Sequence, residues 1–290
     1  NEGKKNEGFA YYSKALPYCL KPQYKIGALP NLYINISSSY FNSGDLDSSI
    51  VYNYKALSYL QEHQPESNNI AIVYSNLSAV YSSQGNYEKA LRFAGMADKI
   101  ATERNVPLAQ VPALINMGNM YAVLDEPDSA LYCFEKGLEV ARRNGYIDRE
   151  QTLLCSIGDM ILEAGRPEEA IHYYKEALSL NNESNIFYGS IVPGYHLGIA
   201  YFRTKRYAAA EQVLLKAIQI AESTGLNMNK YIAHYTLSEI YETTGRYKAS
   251  LGQRKTGELL RDSLYNVEKT KAINEIEHKY NIAQKDKTIA

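Results

Sequence analysis

One spacing constrains this chain more than any other feature. Tyr40, Tyr81, Tyr121, Ile161, Tyr201 and Tyr241 follow one another at intervals of 41, 40, 40, 40 and 40 residues. Self-similarity at a fixed period of this size marks a stack of structural repeats. The surroundings of each anchor repeat with it. Four residues earlier stands an apolar side chain (Ile36, Leu77, Met117, Ile157, Leu197, Leu237). Three residues earlier only Ser or Gly occurs: Ser37, Ser78, Gly118, Gly158, Gly198, Ser238. Four residues later come Gly44, Gly85, Gly165 and Gly245, with Asp125 and Lys205 as exceptions. Nine residues later the residue is small (Ser49, Ala90, Ala130, Ala170, Ala210, Ser250), and sixteen later it is Ala or Gly.

A helical hairpin accounts for this pattern. Apolar residues recur at helical spacing on both sides of the Gly position, which predicts two amphipathic helices. Gly accepts the left-handed conformation that ends a helix, so it marks the turn. Pro127 and Pro167 follow that turn, where the second helix begins and a missing N–H does no harm. The small residues belong where helices approach closely, and the anchors should fill the space between neighbouring hairpins. One hairpin cannot bury both faces and needs the next.

The segments Asn116-Met117-Gly118-Asn119-Met120-Tyr121 and Tyr81-Ser82-Ser83-Gln84-Gly85-Asn86-Tyr87-Glu88-Lys89-Ala90-Leu91 resemble the tetratricopeptide repeat family. The resemblance extends over roughly residues 24 to 260. It implies an all-α, right-handed solenoid of tetratricopeptide-like helical hairpins with a 40-residue period. The family's usual period is about 34; the extra residues fall between one hairpin and the next, which predicts longer helices rather than long loops. Residues 21–260 are expected to form six repeats. Tyr12, Ala15 and Leu16 lie 41 residues before Asn53, Ala56 and Leu57, so residues 1–20 are expected to be the second helix of a truncated upstream repeat. The last repeat departs from the pattern, with Arg254 where Phe134 and Tyr174 stand in earlier copies. If the phase is right, Tyr121→Ala should cost roughly 3 to 5 kcal/mol, as for a large buried aromatic.

Composition excludes several classes of function. Lys and Arg number 31 against 32 Asp and Glu, so the basic footprint of a nucleic-acid binder is missing. With 45% apolar residues the chain is not an acidic disordered one. Three cysteines cannot build a disulfide framework, and no apolar run approaches the ~18 to 20 residues of a membrane helix. The chain opens at Asn1 without a signal peptide and reads as part of something longer. No phosphate loop, dinucleotide fingerprint or metalloprotease motif occurs, so no enzyme, metal or cofactor is expected. Cys19, Cys133 and Cys155 fall in helical segments and read as inert buried thiols. Asp159, Glu163, Glu239 and Glu242 read as solvated or peptide-binding carboxylates rather than acid–base pairs.

In the resembling family the first helix of each repeat lines a concave groove that holds a peptide. Five residues before the anchors stand Asn35, Asn76 and Asn116, then Ser156, His196 and Thr236, with Asn119 one turn further on. Asn carries both donor and acceptor and can pair with a peptide backbone of any sequence; it can equally bond within the scaffold. In the later repeats Tyr195, Phe202, Tyr235 and Arg203 are expected to point into the groove, with Glu239 nearby, or to serve contacts between repeats. Aromatic residues and Arg are the common anchors of binding surfaces. The expected partner is a protein or peptide, not nucleic acid.

The tail differs. Arg261-Asp262-Ser263-Leu264-Tyr265-Asn266 and Ile273-Asn274-Glu275-Ile276-Glu277-His278-Lys279-Tyr280 resemble the end of the sensory repeat region in Bacteroidetes histidine kinases and transcriptional regulators. Residues 261–290 are thus expected to form either a capping helix or a signalling helix. Ile273, Ile276, Tyr280 and Ala283 have coiled-coil spacing, which admits a dimer through this segment. The resemblance implies the sensory region of a membrane-anchored signalling protein, with its anchor downstream of Ala290 and the repeats in the periplasm. The alternative is a stand-alone cytoplasmic scaffold that holds partner peptides in its groove.

Overall fold

The computed structural model describes residues 2–184, 187–224 and 230–263, and among these all regular structure is helical. Two compact units divide the chain, Asn1–Arg149 and Glu150–Ala290. The first contains α1 (Glu2–Cys19), α2 (Pro22–Ser43), α3 (Leu46–His63), α4 (Asn69–Ser83), α5 (Tyr87–Glu103), α6 (Pro107–Val123) and α7 (Pro127–Arg143). Each helix packs on the next, and α4 also touches α2 and α6. This is a stack of hairpins in which the first helices form one row, as a solenoid requires. The second unit holds α8 (Ile147–Glu163, whose first three residues precede the boundary), α9 (Pro167–Ser184), α10 (Ile191–Arg203), α11 (Tyr207–Thr224), α12 (Lys230–Thr243) and α13 (247–263). Here α10 packs on α9, α11 and α12.

The turns explain the Gly position and its two exceptions. Gly44, Gly85, Gly165 and Gly245 have φ of 86°, 74°, 77° and 76°, and Asp125 and Lys205 take the same left-handed state at 61°. In every case the next N–H donates back to the anchor's own carbonyl: Asp45 to Tyr40 at 3.0 Å, Asn86 to Tyr81 at 2.9 Å, Glu126 to Tyr121 at 2.9 Å, Arg166 to Ile161 at 3.1 Å, Arg206 to Tyr201 at 2.8 Å and Arg246 to Tyr241 at 2.7 Å. These are Schellman closures. The anchor thus packs with its side chain and ends its helix with its backbone.

The residues beyond the usual period lie in the helices. From α5 to α8 each helix has 17 residues, and only residues 104–106 and 144–146 join one hairpin to the next. Both joints use a second left-handed residue, Asn105 or Gly145.

The small residue three before the anchor is the point of closest approach. A Cβ on Gly118 would lie 2.6 Å from Phe134 Cδ1, and one on Gly158 would lie 2.6 Å from Tyr174 Cε1. Gly198 meets Leu214 in the same way. Copies with Ser at this position carry Asn53, Ala94 or Arg254 opposite, thirteen residues beyond their anchors. A large facing side chain therefore goes with Gly, which is complementarity of volume within a close-packed core. Ser37 and Ser238 share hydrogen bonds with Ser49 and Ser250 at 3.2 and 3.0 Å. Ser78 faces a repeat position held by Ala90, and its hydroxyl is buried without a partner.

One expectation needs correction. Tyr81, Ile161 and Tyr241 are buried, but Tyr121 is half-buried and borders a surface hollow with Met117, Asp128, Ser129 and Tyr132. The short polar side chains at the start of α7 leave one side of its ring in water. A cost of about 3 to 5 kcal/mol is therefore too large for Tyr121→Ala. No described helix is long and apolar enough to cross a membrane.

Candidate functional site

A helix buries one stripe and leaves another to solvent. On the first helix of each hairpin the accessible stripe includes the positions five before and two before the anchor. In the first unit it carries Asn35 and Asn119, both exposed, and Asn76 and Asn116, both half-buried. Among the described residues the side-chain amides of Asn35, Asn76 and Asn119 have no hydrogen-bond partner. Asn116 does have one: its Nδ2 donates to the Ser75 carbonyl on α4 at 3.2 Å. Nearby, Asn69 Nδ2 donates to Asn31 Oδ1 at 2.7 Å, joining α4 to α2.

The second unit carries a different constellation. His196 Nδ1 lies 2.6 Å from Asp159 Oδ1, which also accepts from the Tyr174 hydroxyl at 2.6 Å. The imidazole stacks on the Tyr174 ring, with centroids 5.5 Å apart. Burial above all, and then the Asp159 charge, push the Tyr174 phenol well above its ordinary range, so it stays a proton donor. Arg203 is exposed and donates from Nη1 to the Leu162 carbonyl at 3.0 Å. Phe202 is half-buried and packs against Tyr207 with centroids 6.0 Å apart. Glu239 is exposed. Thr236 and Ser156 turn their hydroxyls to the carbonyls of Ile232 and Thr152.

Two expected groove residues lie elsewhere. Tyr195 is 2% exposed, its hydroxyl has no partner, and burial pushes its phenol up to about 12. Tyr235 packs its ring against Gly257 on α13 and beneath the Arg254 guanidinium, 5.2 Å from the centroid. The reason is geometric. Both stand six residues before their anchors, one residue and about 100° of rotation from the accessible position. That register faces the second helix of the hairpin.

Sequence reasoning missed the charge contacts between successive hairpins. Arg246 donates through both Nη atoms to Glu211 at 3.0 and 2.8 Å, and the Tyr241 hydroxyl adds a third bond at 2.8 Å. The Arg246 hydrogen bond is the main reason the Glu211 carboxyl is held below its usual range. One period earlier Arg206 grips Glu168 at 2.8 and 2.9 Å. The recurrence of Arg directly after the turn was the available signal. Burial raises the Cys133 and Cys155 thiols, while Cys19 is half-buried. The described residues hold no group of three or more metal-ligating side chains. The tail beyond Ser263, including Leu264, Ile273, Ile276, His278, Tyr280 and Ala283, lies outside the described residues.

The stacked hairpins and their two stripes define a helical-repeat binding scaffold. A family model described as tetratricopeptide repeat matches residues 29–102 and 110–183, more than half of the chain, and a second tetratricopeptide repeat model matches 195–224. The chain belongs to the tetratricopeptide repeat family and is a protein-binding module of that class. Over 118 residues it is 29% identical to the 43 kDa receptor-associated protein of the synapse from Gallus gallus, covering 38% of this chain and 28% of that one. Among solved structures it resembles a Signal Transduction ATPase with Numerous Domains that carries a tetratricopeptide repeat sensor, from Pyrococcus horikoshii. The TM-score is 0.67 at 23% identity, over 76% of this chain and 34% of that chain. A Rap protein complexed with competence and sporulation factor superimposes with a TM-score of 0.59 at 15% identity, over 82% of this chain and 76% of that one. The chain thus spans about a third or less of the curated relative and of the signalling ATPase.

Proposed function

We propose that the first-helix stripe binds an extended segment of a partner protein or peptide and does no covalent chemistry. The observation that carries this is the row of unengaged amides of Asn35, Asn76 and Asn119 on one accessible stripe of the first unit. Each offers a donor and an acceptor, which suits a peptide backbone. In the second unit His196, Phe202, Arg203 and Glu239 supply side-chain selectivity, and Asp159 with Tyr174 fixes the imidazole. Tyr174 supports the non-catalytic reading, since a buried phenol with a raised pKa is a poor nucleophile. We read residues 21–260 as six repeats, with a partial repeat before them and a capping or signalling helix after them. The test is capture of partners by the whole chain and by an Asn35→Ala/Asn76→Ala/Asn119→Ala variant of equal stability. Loss of the same bands supports the groove, and unchanged yield sinks it.

Within that reading we favour the sensory region of a membrane-anchored signalling protein, on the resemblance of the tail from Arg261 to Tyr280. A segment of about 20 apolar residues encoded after Ala290, followed by a kinase or DNA-binding region, would support it. A stop codon soon after Ala290 would leave the stand-alone scaffold.

A further inference from the structure

A cavity of about 410 Å3 lies in the second unit among α9, α10 and α11, lined by Lys175, Leu178, Ser190, Gly194, Lys216 and Ile220 among others. It is not part of the stripe. Gly194 and His196 are two residues apart, about 200° of helical rotation, so the cavity opens on the other side of α10.

The chain contains a closed copy of the same place. Eighty residues earlier, Asp98, Gln110, Leu114 and Lys136 occupy the positions of Leu178, Ser190, Gly194 and Lys216. There Lys136 Nζ bonds Asp98 Oδ2 at 2.9 Å, and Gln110 bridges Asp98 Oδ1 at 3.1 Å to the Thr102 hydroxyl at 2.7 Å. Leu114 fills the remaining space and is 1% exposed. In the later copy the lysine is kept, while the acid has become Leu178 and two space-filling side chains have become Ser190 and Gly194. Among the described residues neither Lys175 nor Lys216 makes an ion pair. A lysine that holds an internal carboxylate in one copy faces an open cavity in the other.

We propose that this cavity binds the free C-terminal carboxylate of a partner chain ending in an apolar residue. The carboxylate takes, on Lys216, the place that Asp98 takes on Lys136. The last side chain lies against Leu178, Val213 and Ile220. A terminal apolar residue joins an anion and an apolar body in one unit. An internal acidic residue would instead bring two flanking polar backbones into an apolar cavity, where unpaired amides are costly. The volume falls within the ~300–1,000 Å3 of ordinary ligand pockets.

The test is calorimetric titration of the full 290-residue chain with N-acetyl-Gly-Ala-Leu, as free acid and as C-terminal amide. The expected result is that the acid binds and the amide binds about tenfold more weakly or worse, as for loss of a charged hydrogen bond. Lys216→Met should weaken the acid to a similar degree; Lys216 is exposed, so the fold should survive. Leu178→Asp should restore the internal pair and abolish binding, with circular dichroism unchanged. The stripe variant Asn35→Ala/Asn76→Ala/Asn119→Ala should bind normally, which separates failure here from failure of the groove reading. Equal binding of acid and amide, no binding at millimolar peptide, or indifference to Lys216→Met would overturn the proposal. So would N-acetyl-leucine binding as tightly as the tripeptide, because the site would then be one for small acids.

Discussion

The pairing of Gly118 with Phe134 can be tested by exchanging it for the pairing found one repeat earlier. Phe134 is 2% exposed, and its ring lies where a side chain on residue 118 would begin. A Cβ there would stand 2.6 Å from Cδ1 and 2.8 Å from Cζ, against an optimum near 3.5–4.0 Å. The ring is enclosed and cannot swing aside. Gly118→Ser therefore carries an overpacking penalty of about 1–3 kcal/mol, offset by roughly 0.5 kcal/mol from removing a helical glycine. Phe134→Ala alone opens a cavity and should cost about 3–5 kcal/mol. The double variant recreates the combination of Ser78 with Ala94, both fully buried in the preceding hairpin. Its loss should fall short of the sum of the single losses by about 1–2 kcal/mol, because the overpacking vanishes with the ring. The assay is urea unfolding of wild type, both singles and the double, with the m-value checked for constancy. Additivity within about 0.3 kcal/mol would refute the claim that close approach selects Gly opposite a large side chain.

Further predictions follow from single groups. Ser78→Ala removes a buried hydroxyl that has no partner and should be neutral or stabilising by up to about 1 kcal/mol, whereas Ser238→Ala breaks the bond to Ser250 and should cost about that much in the same unfolding assay. Lys205→Gly should raise stability by about 1 kcal/mol, since Lys205 holds a left-handed φ of 61°; an unchanged urea midpoint would contradict this. Glu211 has a folded-state pKa below its unfolded value, so its contribution is present above about pH 4.3 and is lost as pH falls towards the depressed value. Glu211→Gln should accordingly flatten the acid limb of a stability–pH curve. Native chains should react with a thiol reagent at Cys19 first, because Cys133 and Cys155 are buried and their thiols are raised; equal rates for all three would show that the core opens.

The period made the hairpins legible. Anchor, Gly turn and small residues sit on one helix pair, and local geometry fixes their spacing. The side-chain register was harder to read. Tyr195 and Tyr235 were expected in the groove because they neighbour the accessible position in sequence, yet one residue on a helix turns the side chain by about 100°. The helical period therefore decides the face, and neighbouring in sequence does not.

Contacts between successive hairpins follow a different rule, and it explains why the candidate sites escaped sequence reading. Asn31 meets Asn69, Asp98 meets Lys136 and Glu168 meets Arg206, each 38 residues apart; Asp159 meets His196 at 37. The step is two or three residues short of the period. Neighbouring helices of the same kind run parallel, and a side chain leans towards the N-terminal end of its helix, onto the preceding turn. A search at the period itself aligns equivalent residues and misses the pairs that touch. Aligning copies two periods apart shows something else, because Lys136 and Lys216 then coincide while Asp98 is matched by Leu178. A retained charge whose internal partner has been replaced is visible without coordinates. The structure adds that the vacated place is a cavity on the face of α10 opposite His196, so a groove ligand and a C-terminal ligand could be held at once.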